Sequence, residues 1–285
     1  MKLKSRSRKA GESPYSNEAL GRPDPLIYTL KGLFVRILIV SDIHANLEAL
    51  EACLQAAPAH DRVFNLGDIV GYGANPNEVT KRARGLGSVF VRGNHDKACT
   101  GIATLDDFNP VAGLAALWTR QQLTPGNLEF LRELPQGPLA PLKNLQCVHG
   151  SPRDEDEYVL APADAYSILG RAGVPLTFFG HTHIQGGYWI DDVKEDQGVI
   201  APRYKSPQGQ QEFQLSLRAS ARYLINPGSI GQPRDTDPRA AFALYDDARH
   251  AVTFHRVPYD IEQAQDKILS AGLPERLATR LAEGH

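Results

Sequence analysis

Five short segments of the sequence combine carboxylate, amide and imidazole side chains, the groups that bind metal ions and transfer protons. They are Asp42-Ile43-His44, Gly67-Asp68, Gly93-Asn94-His95-Asp96, His149-Gly150 and Gly180-His181-Thr182-His183. The Gly-Asn-His-Asp order is expected by chance only about 0.002 times in a chain of this composition. Oxygen and nitrogen donors without thiolates favour Mn, Fe or Zn over Ca²⁺, and Ni or Co would fit in vitro. We therefore expect a site for divalent transition metal ions.

These segments supply more candidate ligands than one tetrahedral ion needs. On an extended loop, residues two apart point to the same side. Two such pairs, Asp42 with His44 and His181 with His183, could therefore each bind a metal ion. Two divalent ions about 3.5–4 Å apart that share one carboxylate would use the whole set. The candidate metal ligands are Asp42, His44, Asp68, Asn94, His149, His181 and His183.

Each polar segment follows or ends a short apolar run that predicts a buried β-strand. The runs cover 35–40, 62–67, 88–93, 145–150 and 176–181, and helical patterns lie among them at 47–56, 76–84, 110–122, 125–134 and 163–172. Alternating strands and helices predict right-handed βαβ crossovers and a largely parallel sheet. Because ligands bind beyond the carboxyl ends of such strands, the polar segments should converge on one site.

The pattern changes after residue 183, where turns rather than helices separate the predicted strands. These strands cover 187–190, 212–217, 222–226, 241–245 and 251–257, which suggests a second, antiparallel sheet. Residues 191–211 are rich in Asp, Gln, Gly and Pro and are expected to form an exposed loop or hairpin tip. Two helical segments, 261–271 and 274–282, close the chain.

Residues 1–34 differ from the rest of the chain. They are polar and basic, contain Gly and Pro, and show neither strand nor helix periodicity, so we expect a disordered basic tail. Residues 35–285 then form a single domain.

The charge balance and the cysteines limit the class of protein. Lys and Arg total 31 against 33 Asp and Glu, which argues against nucleic acid as a partner. No run reaches the ~18 apolar residues of a membrane helix. The three cysteines form no CxxC pair, which suits the cytoplasm. We expect a small phosphorylated substrate as the partner, and the sequence favours no oligomeric state.

The motifs DIHAN, GDIVGYG, GNHD, VHGSP, GHTH and NPGS together resemble the calcineurin-like metallophosphoesterases, in their small bacterial phosphodiesterase-type branch. The resemblance implies an α/β fold, a four-layer α-β-β-α sandwich with two mixed sheets. It also implies a role for each candidate residue. Asp42, His44 and His183 would hold one metal, Asn94, His149 and His181 would hold the other, Asp68 would bridge them, and His95 would be the catalytic histidine.

The activity implied by this resemblance is hydrolysis of a phosphodiester by in-line attack of a hydroxide that bridges the two metals. The segment after the bridging aspartate, Gly67 to Gly73, departs from the G-D-x-x-x-R-G of two related groups. It has neither the arginine nor an acidic residue that could orient His95, which argues against a phosphoprotein phosphatase or a symmetric dinucleoside-tetraphosphate hydrolase. The alternatives are a phosphomonoesterase, acting on a nucleotide, sugar phosphate or phosphoprotein, and a non-catalytic metal-binding scaffold.

Three residues near the end of the resemblance are candidates for substrate binding. Arg234 could hold a phosphate with its forked guanidinium, or it could be a surface residue. Asn226 and Ser229 belong to an Asn-Pro-Gly-Ser segment that either lines the site or only forms a tight turn. His95 likewise has an alternative role, as a hydrogen-bond partner of Asp68 or Asp42.

Overall fold

The computed structural model of the protein describes residues 34–87 and 89–285, and residues 34–285 form one compact unit. The tail expected over 1–34 therefore lies outside the described residues, except for Phe34. The strands are β1 (Arg36–Val40), β2 (Arg62–Asn65), β3 (Val89–Phe90), β4 (Leu139–Leu142), β5 (Leu145–Cys147), β6 (Leu176–Phe178), β7 (Gly186–Asp191), β8 (Asp196–Ile200), β9 (Gln211–Ser216), β10 (Ala221–Asn226), β11 (Ala240–Asp246) and β12 (Ala251–Val257). The helices are α1 (Leu47–Ala56), α2 (Pro76–Leu86), α3 (Asn94–Thr100), α4 (Pro110–Gln122), α5 (Pro125–Arg132), α6 (Pro162–Gly170), α7 (Ile261–Ser270) and α8 (Glu275–Glu283).

Two six-stranded sheets form the centre of the fold, and both are mixed. The first has the order β3-β2-β1-β11-β12-β9, parallel from β3 to β1 and antiparallel beyond. The second has the order β4-β5-β6-β10-β7-β8, with β5, β6 and β10 parallel. The fold class is confirmed, but the division into an early parallel sheet and a late antiparallel sheet is wrong. Each sheet combines strands from both halves of the chain, because β11 pairs with β1 and β10 pairs with β6.

Strand β1 shows why the sheets lie between helical layers. Its alternate residues Ile37 and Ile39 face the second sheet, in one buried cluster with Phe178. Leu38 and Val40 face the other way, into a cluster with residues of α1. Burying both faces explains the continuous apolar run, and each fully buried side chain of this size contributes about 1.5–3 kcal/mol.

Three local expectations are corrected by the structure. Residues 191–211 contain strand β8, and β4 was not predicted. Helix α3, which begins at Asn94 with Gly93 as its N-cap, was not predicted either. Within residues 34–87 and 89–285, no helix has the length and apolar character needed to cross a bilayer.

Candidate metal centre

The loops that follow β1 and β2 are held side by side by backbone hydrogen bonds. The amide of Asp42 donates to the carbonyl of Gly67 and that of His44 to the carbonyl of Asp68, each at 3.0 Å. Asp42, His44 and Asp68 all have positive φ angles, of 52°, 49° and 54°. Such conformations are unfavourable for residues other than glycine, and they turn these side chains towards one point.

The loops of the second sheet approach the same point. His149 follows β5, and His181 and His183 follow β6 with φ angles of 67° and 60°. The amide of His181 donates to both carboxylate oxygens of Asp42 at 3.2 Å, which joins the two sheets at the site. Both sheets therefore contribute polar residues to one buried centre.

Two groups of potential ligand atoms share Asp68. One is formed by Asp42, His44, Asp68 and His183, the other by Asp68, His149 and His181, and within each group the atoms lie within 4.8 Å of one another. The amide oxygen of Asn94 lies 3.3 Å from Nε2 of His149, beside the second group. The structure thus brings all seven candidate residues together, and their assignment as ligands stays a prediction.

Three of the histidines are oriented by backbone carbonyls. Nδ1 of His44 contacts the carbonyl of Val70 at 3.2 Å, and Nδ1 of His149 contacts that of Leu66 at 2.8 Å. Nδ1 of His183 contacts the carbonyl of Gln232 at 2.5 Å. A carbonyl at Nδ1 requires the proton there, so in the neutral form of each ring Nε2 is an acceptor that points into the centre, as metal-ligating histidines are held.

The arrangement of these acceptors fits divalent cations. Nε2 of His44 and Nε2 of His183 lie 3.0 Å apart, and Nε2 of His149 lies 3.1 Å from Nδ1 of His181. Since the carbonyls keep the protons of His44 and His183 on Nδ1, two acceptor lone pairs face one another at the first contact. Such a contact is favourable only with a proton or a cation close by. Together with the buried carboxylates, the donor set suits two divalent transition metal ions.

Burial and charge act in opposite directions on the central pair. Burial alone would raise the pKa of Asp68, but His149, His95 and His44 outweigh it and hold that pKa well below its usual range. Burial also opposes the charged form of His149, yet the carboxylate of Asp68 raises its pKa to about 10. Asp68 is therefore ionised, as a bridging carboxylate must be.

For the other candidate ligands, burial determines the direction of the pKa shift. It raises the pKa of Asp42 to about 7 against the opposing charge of His149. It lowers the pKa of His181 to about 2 and those of His44 and His183 well below their usual value. These three imidazoles are consequently neutral, which is the form that binds metals.

Asp96 is a structural residue of the site that sequence reasoning missed as such. Its carboxylate accepts hydrogen bonds from the amides of Asp68 and Ile69, both at 2.9 Å, and from Gly93 at 3.0 Å. It thereby fixes the loop after β2 to the start of α3. The Gly-Asn-His-Asp motif contained the signal, because an acidic residue at the third position of a helix is typical of a capping box.

His95 lies beside the two groups rather than within either. Its ring centroid is 4.8 Å from that of His44, 4.3 Å from Tyr72 and 4.9 Å from Phe108. Its Nδ1 is buried without a hydrogen-bond partner among the described residues, and burial lowers its pKa to about 4. A neutral imidazole can donate one N–H to a phosphoryl oxygen, which favours charge stabilisation over release of a proton.

The three candidate substrate-binding residues have different environments. The Asn226 side chain donates to the Gly180 carbonyl at 2.8 Å, and the Ser229 hydroxyl donates to the Asp42 carbonyl at 2.7 Å. Both side chains are buried and hold loops together, so we treat them as positioning residues rather than substrate ligands. Only the guanidinium of Arg234 lies beside the site, 3.4 Å from the Tyr72 hydroxyl.

A cavity of about 220 Å³ opens beside the two ligand groups. Asn94, His95 and His181 form its inner wall. The remaining lining residues come from the loop after β2, the loop before α4, the segment around 156–158 and helices α3 and α4: Tyr72, Lys97, Ala103, Thr104, Asp107, Phe108, Asn109, Ala112, Asp156 and Tyr158. The candidate centre is therefore accessible to a small molecule.

Comparisons with known proteins agree with this geometry. The Methanocaldococcus jannaschii protein MJ0912 is 36% identical over 252 residues, which are 87% of this chain and 98% of the relative. The crystal structure of a metallophosphoesterase from Sphaerobacter thermophilus has 42% identity and a TM-score of 0.76, covering 89% of this chain and all of the other. PH1004 from Pyrococcus horikoshii has the same fold, with 21% identity, a TM-score of 0.68, and coverage of 88% and 99%.

The sequence profile of the calcineurin-like phosphoesterases matches residues 35–185, the part of the chain that carries Asp42, Asp68, His95, His149 and His183. The two sheets, the convergence of the loops and the shared carboxylate are thus found together with the family's own sequence pattern. The chain belongs to the calcineurin-like phosphoesterase family.

Proposed function

We propose that this protein hydrolyses a phosphodiester with two divalent ions, Mn, Fe or Zn, held by the seven candidate residues. The observation that carries the proposal is the pair of buried ligand groups joined through Asp68, with a cavity directly beside them. Asp42, His44 and His183 would hold one ion, and Asn94, His149 and His181 the other. When bound, the ions would supply a water nucleophile that ionises near neutral pH and would offset charge on the phosphoryl oxygens.

The chain's own residues then position the reacting groups. Asp68, held by the cap of α3, keeps the two ligand groups together. His95 faces the cavity with a ring that has no hydrogen-bond partner among the described residues, so it can donate a hydrogen bond to a phosphoryl or leaving-group oxygen. Arg234 has no ion-pair partner in the described chain, and its cation can bind a further phosphoryl oxygen.

The charge of the cavity supports a diester over a monoester. Asp107 and Asp156 line it beside Lys97, and Lys97 is paired with Asp156 at 2.5 Å and with Glu155 at 3.0 Å. The charged residues that line the cavity therefore carry one excess negative charge. A diester carries one negative charge near neutral pH and a monoester carries nearly two, so this wall repels the diester less.

Turnover of bis(p-nitrophenyl) phosphate and of p-nitrophenyl phosphate, measured together with metal content, tests the proposal. We expect two ions per chain and a higher kcat/KM for the diester. In Asp68→Asn, the shared negative charge is lost, so at least one ion and most of the activity should be lost with it. Higher kcat/KM for the monoester would identify a phosphomonoesterase.

Two other outcomes would contradict the proposal. Fully metallated protein without activity on either ester would indicate a metal-binding scaffold. An Asp68→Asn variant with two ions and near-normal turnover would contradict the shared centre.

We also propose that the enzyme is cytoplasmic, since all three cysteines are buried and unpaired.

A further inference from the structure

Aromatic rings form much of the cavity beside the candidate metal centre. The Tyr158 ring stacks on His181 with centroids 3.7 Å apart at an angle of 31°, and Tyr158 is still 49% exposed. Phe108 meets His95 edge to face at 4.9 Å. Aromatic surface therefore begins directly at the residues around the reacting phosphoryl group. Such surfaces bind planar rings by stacking.

The size of the cavity limits what it can hold. Its volume of about 220 Å³ lies below the ~300–1,000 Å³ of sites for drug-sized ligands. Its lining includes the small side chains of Ala103 and Ala112, which leave space between the aromatic residues. A single ring system fits these dimensions.

The polar groups that line the cavity include one carboxylate without a partner among the described residues, that of Asp107. Within the described chain, the Asp107 carboxylate has neither an ion pair nor a side-chain hydrogen bond. Lys97 is engaged by Glu155 and Asp156 and offers no free cation. The Asn109 carbonyl oxygen is used to cap α4, accepting from Ala112 at 3.0 Å. Asp107 is exposed, so a ring that carries an amino group would donate to its carboxylate in place of water.

We infer that this cavity binds one ester substituent of the substrate through a planar, amino-bearing heteroaromatic ring, so that the substrate class is a nucleoside phosphodiester. This rests on the proposed function, which places the phosphoryl group beside His95. Tyr158 and Phe108 stack against the ring, and Asp107 accepts from its amino group. The excess negative charge of the lining residues disfavours a second phosphate in the cavity.

The first test compares ligands that share one phosphate but differ in the ring. AMP, IMP, ribose 5-phosphate and phenyl phosphate are used as competitive inhibitors of the metal-loaded enzyme. Stacking contributes roughly tenfold or more in affinity, so AMP should inhibit at least tenfold more tightly than ribose 5-phosphate. AMP should also inhibit several-fold more tightly than IMP, which has a carbonyl in place of the amino group. Equal inhibition by AMP and ribose 5-phosphate would overturn the inference.

Variants assign the effect to the cavity. Tyr158→Leu should remove most of the preference for AMP over ribose 5-phosphate, and Tyr158→Phe should retain it, because the ring is preserved. Asp107→Asn should remove the preference for AMP over IMP. Tyr166→Leu is the matched control, since Tyr166 packs edge to face on Tyr188 and lines no part of this cavity. If phenyl phosphate binds as tightly as AMP and Asp107→Asn does not change its binding, the assignment of an amino-bearing ring to this cavity is wrong.

Calorimetric binding of adenosine, which has no phosphate, separates this inference from the proposed function. We expect adenosine to bind the wild-type protein and to bind Tyr158→Leu about tenfold more weakly. If neither phosphate ester is hydrolysed but adenosine binds in this manner, the proposed reaction is wrong and the ring site stands. If diesters are hydrolysed but adenosine does not bind, the ring site is wrong and the reaction stands.

Discussion

At the residue scale, the centre combines two unfavourable features, which are positive φ angles in the backbone and the burial of polar side chains. Asp42, His44, Asp68, His181 and His183 all have positive φ angles and are almost fully buried. Each such conformation costs on the order of 1–3 kcal/mol, and it persists only where the surrounding structure determines it. Here that structure includes the carbonyls at the histidine Nδ1 atoms and the amides bound by Asp96. Hydrogen bonds within the protein therefore hold these residues in their unfavourable conformations.

Replacing His95 separates catalysis from metal binding. His95 lies outside both ligand groups, so His95→Asn should keep two ions per chain. It should lose the hydrogen bond to the phosphoryl or leaving-group oxygen, which lowers kcat by about 10²–10⁴-fold. Metal content and kcat, measured on a p-nitrophenyl ester and on an alkyl ester, provide the check.

The ratio of the two losses identifies the role. A larger loss on the alkyl ester means that His95 protonates the leaving group, and equal losses mean that it stabilises charge. A variant that has lost metal would show that His95 is a ligating or structural residue.

His255 predicts an acid-dependent loss of stability. It lies in β12, 1% exposed and stacked on Phe242 at 4.6 Å, and neither ring nitrogen has a partner among the described residues. Burial lowers its pKa from 6.5 to about 4. As the pH falls from 6.5 towards 4, the unfolded chain takes up this proton and the folded chain does not. Stability is then lost, by about 2 kcal/mol between pH 7 and pH 5.

Urea denaturation of the wild type and of His255→Phe at pH 8, 7 and 5 measures this contribution. The comparison at pH 8 gives the cost of the substitution itself, since the histidine is neutral in both states there. Between pH 7 and pH 5 the variant should lose about 2 kcal/mol less than the wild type. Equal pH dependence in the two proteins would mean that His255 is not the group responsible.

At the element scale, two strands end so close together that the loop between β3 and α3 requires glycine. A Cβ at Gly93 would lie 2.0 Å from Oδ1 and 2.5 Å from the backbone nitrogen of Asp68. Gly93→Ala should therefore displace Asp68, lower the unfolding free energy by about 1–3 kcal/mol and reduce metal content. Denaturant unfolding and metal analysis measure both effects.

A matched control is present in α4. A Cβ at Gly113 would meet no atom within 4 Å. Gly113→Ala should leave metal content unchanged and stabilise the protein by about 0.5–1 kcal/mol, because alanine restricts the unfolded chain and favours the helix. Equal effects of the two substitutions would show that close approach to Asp68 does not matter.

At the scale of the whole molecule, the centre joins the two sheets. Asp42 and Asp68 follow strands of the first sheet, and His149 and His183 follow strands of the second. Ions that bind only the folded state stabilise it, by about 2.7 kcal/mol at a free concentration 100 times Kd. Chelation should therefore lower Tm by about 5–10 °C for a domain of this size.

Calorimetry with and without chelator, on the wild type and on Asp68→Asn, provides the check. The variant should show a smaller shift, because it has lost at least one ion before chelation. A wild-type Tm that chelation does not change would mean that the ions do not link the sheets.

Local sequence patterns were sufficient for most of the helices and strands, though not for α3, β4 and β8, and for the composition of the centre. Helices α1 and α4 and strand β12 were predicted with their observed bounds, because their periodicity or continuous apolar run lies within one short segment. The candidate ligands could be found because each is close to the end of a strand. The family pattern supplied their expected roles, with Asp68 as the shared residue.

The pairing of β11 with β1 and of β10 with β6 was decided only by the tertiary structure. A strand's own residues indicate that it is buried, but its hydrogen-bond partner is determined by packing with distant parts of the chain. For the same reason, the roles of Asp96, Asn226 and Tyr158 could not be predicted from the sequence. Asp96 and Asn226 hold loops that are remote in sequence, and Tyr158 covers His181 only because two loops of the second sheet meet at one edge. The sequence by itself determined the chemistry of the centre, and only the tertiary structure decided the cavity beside it.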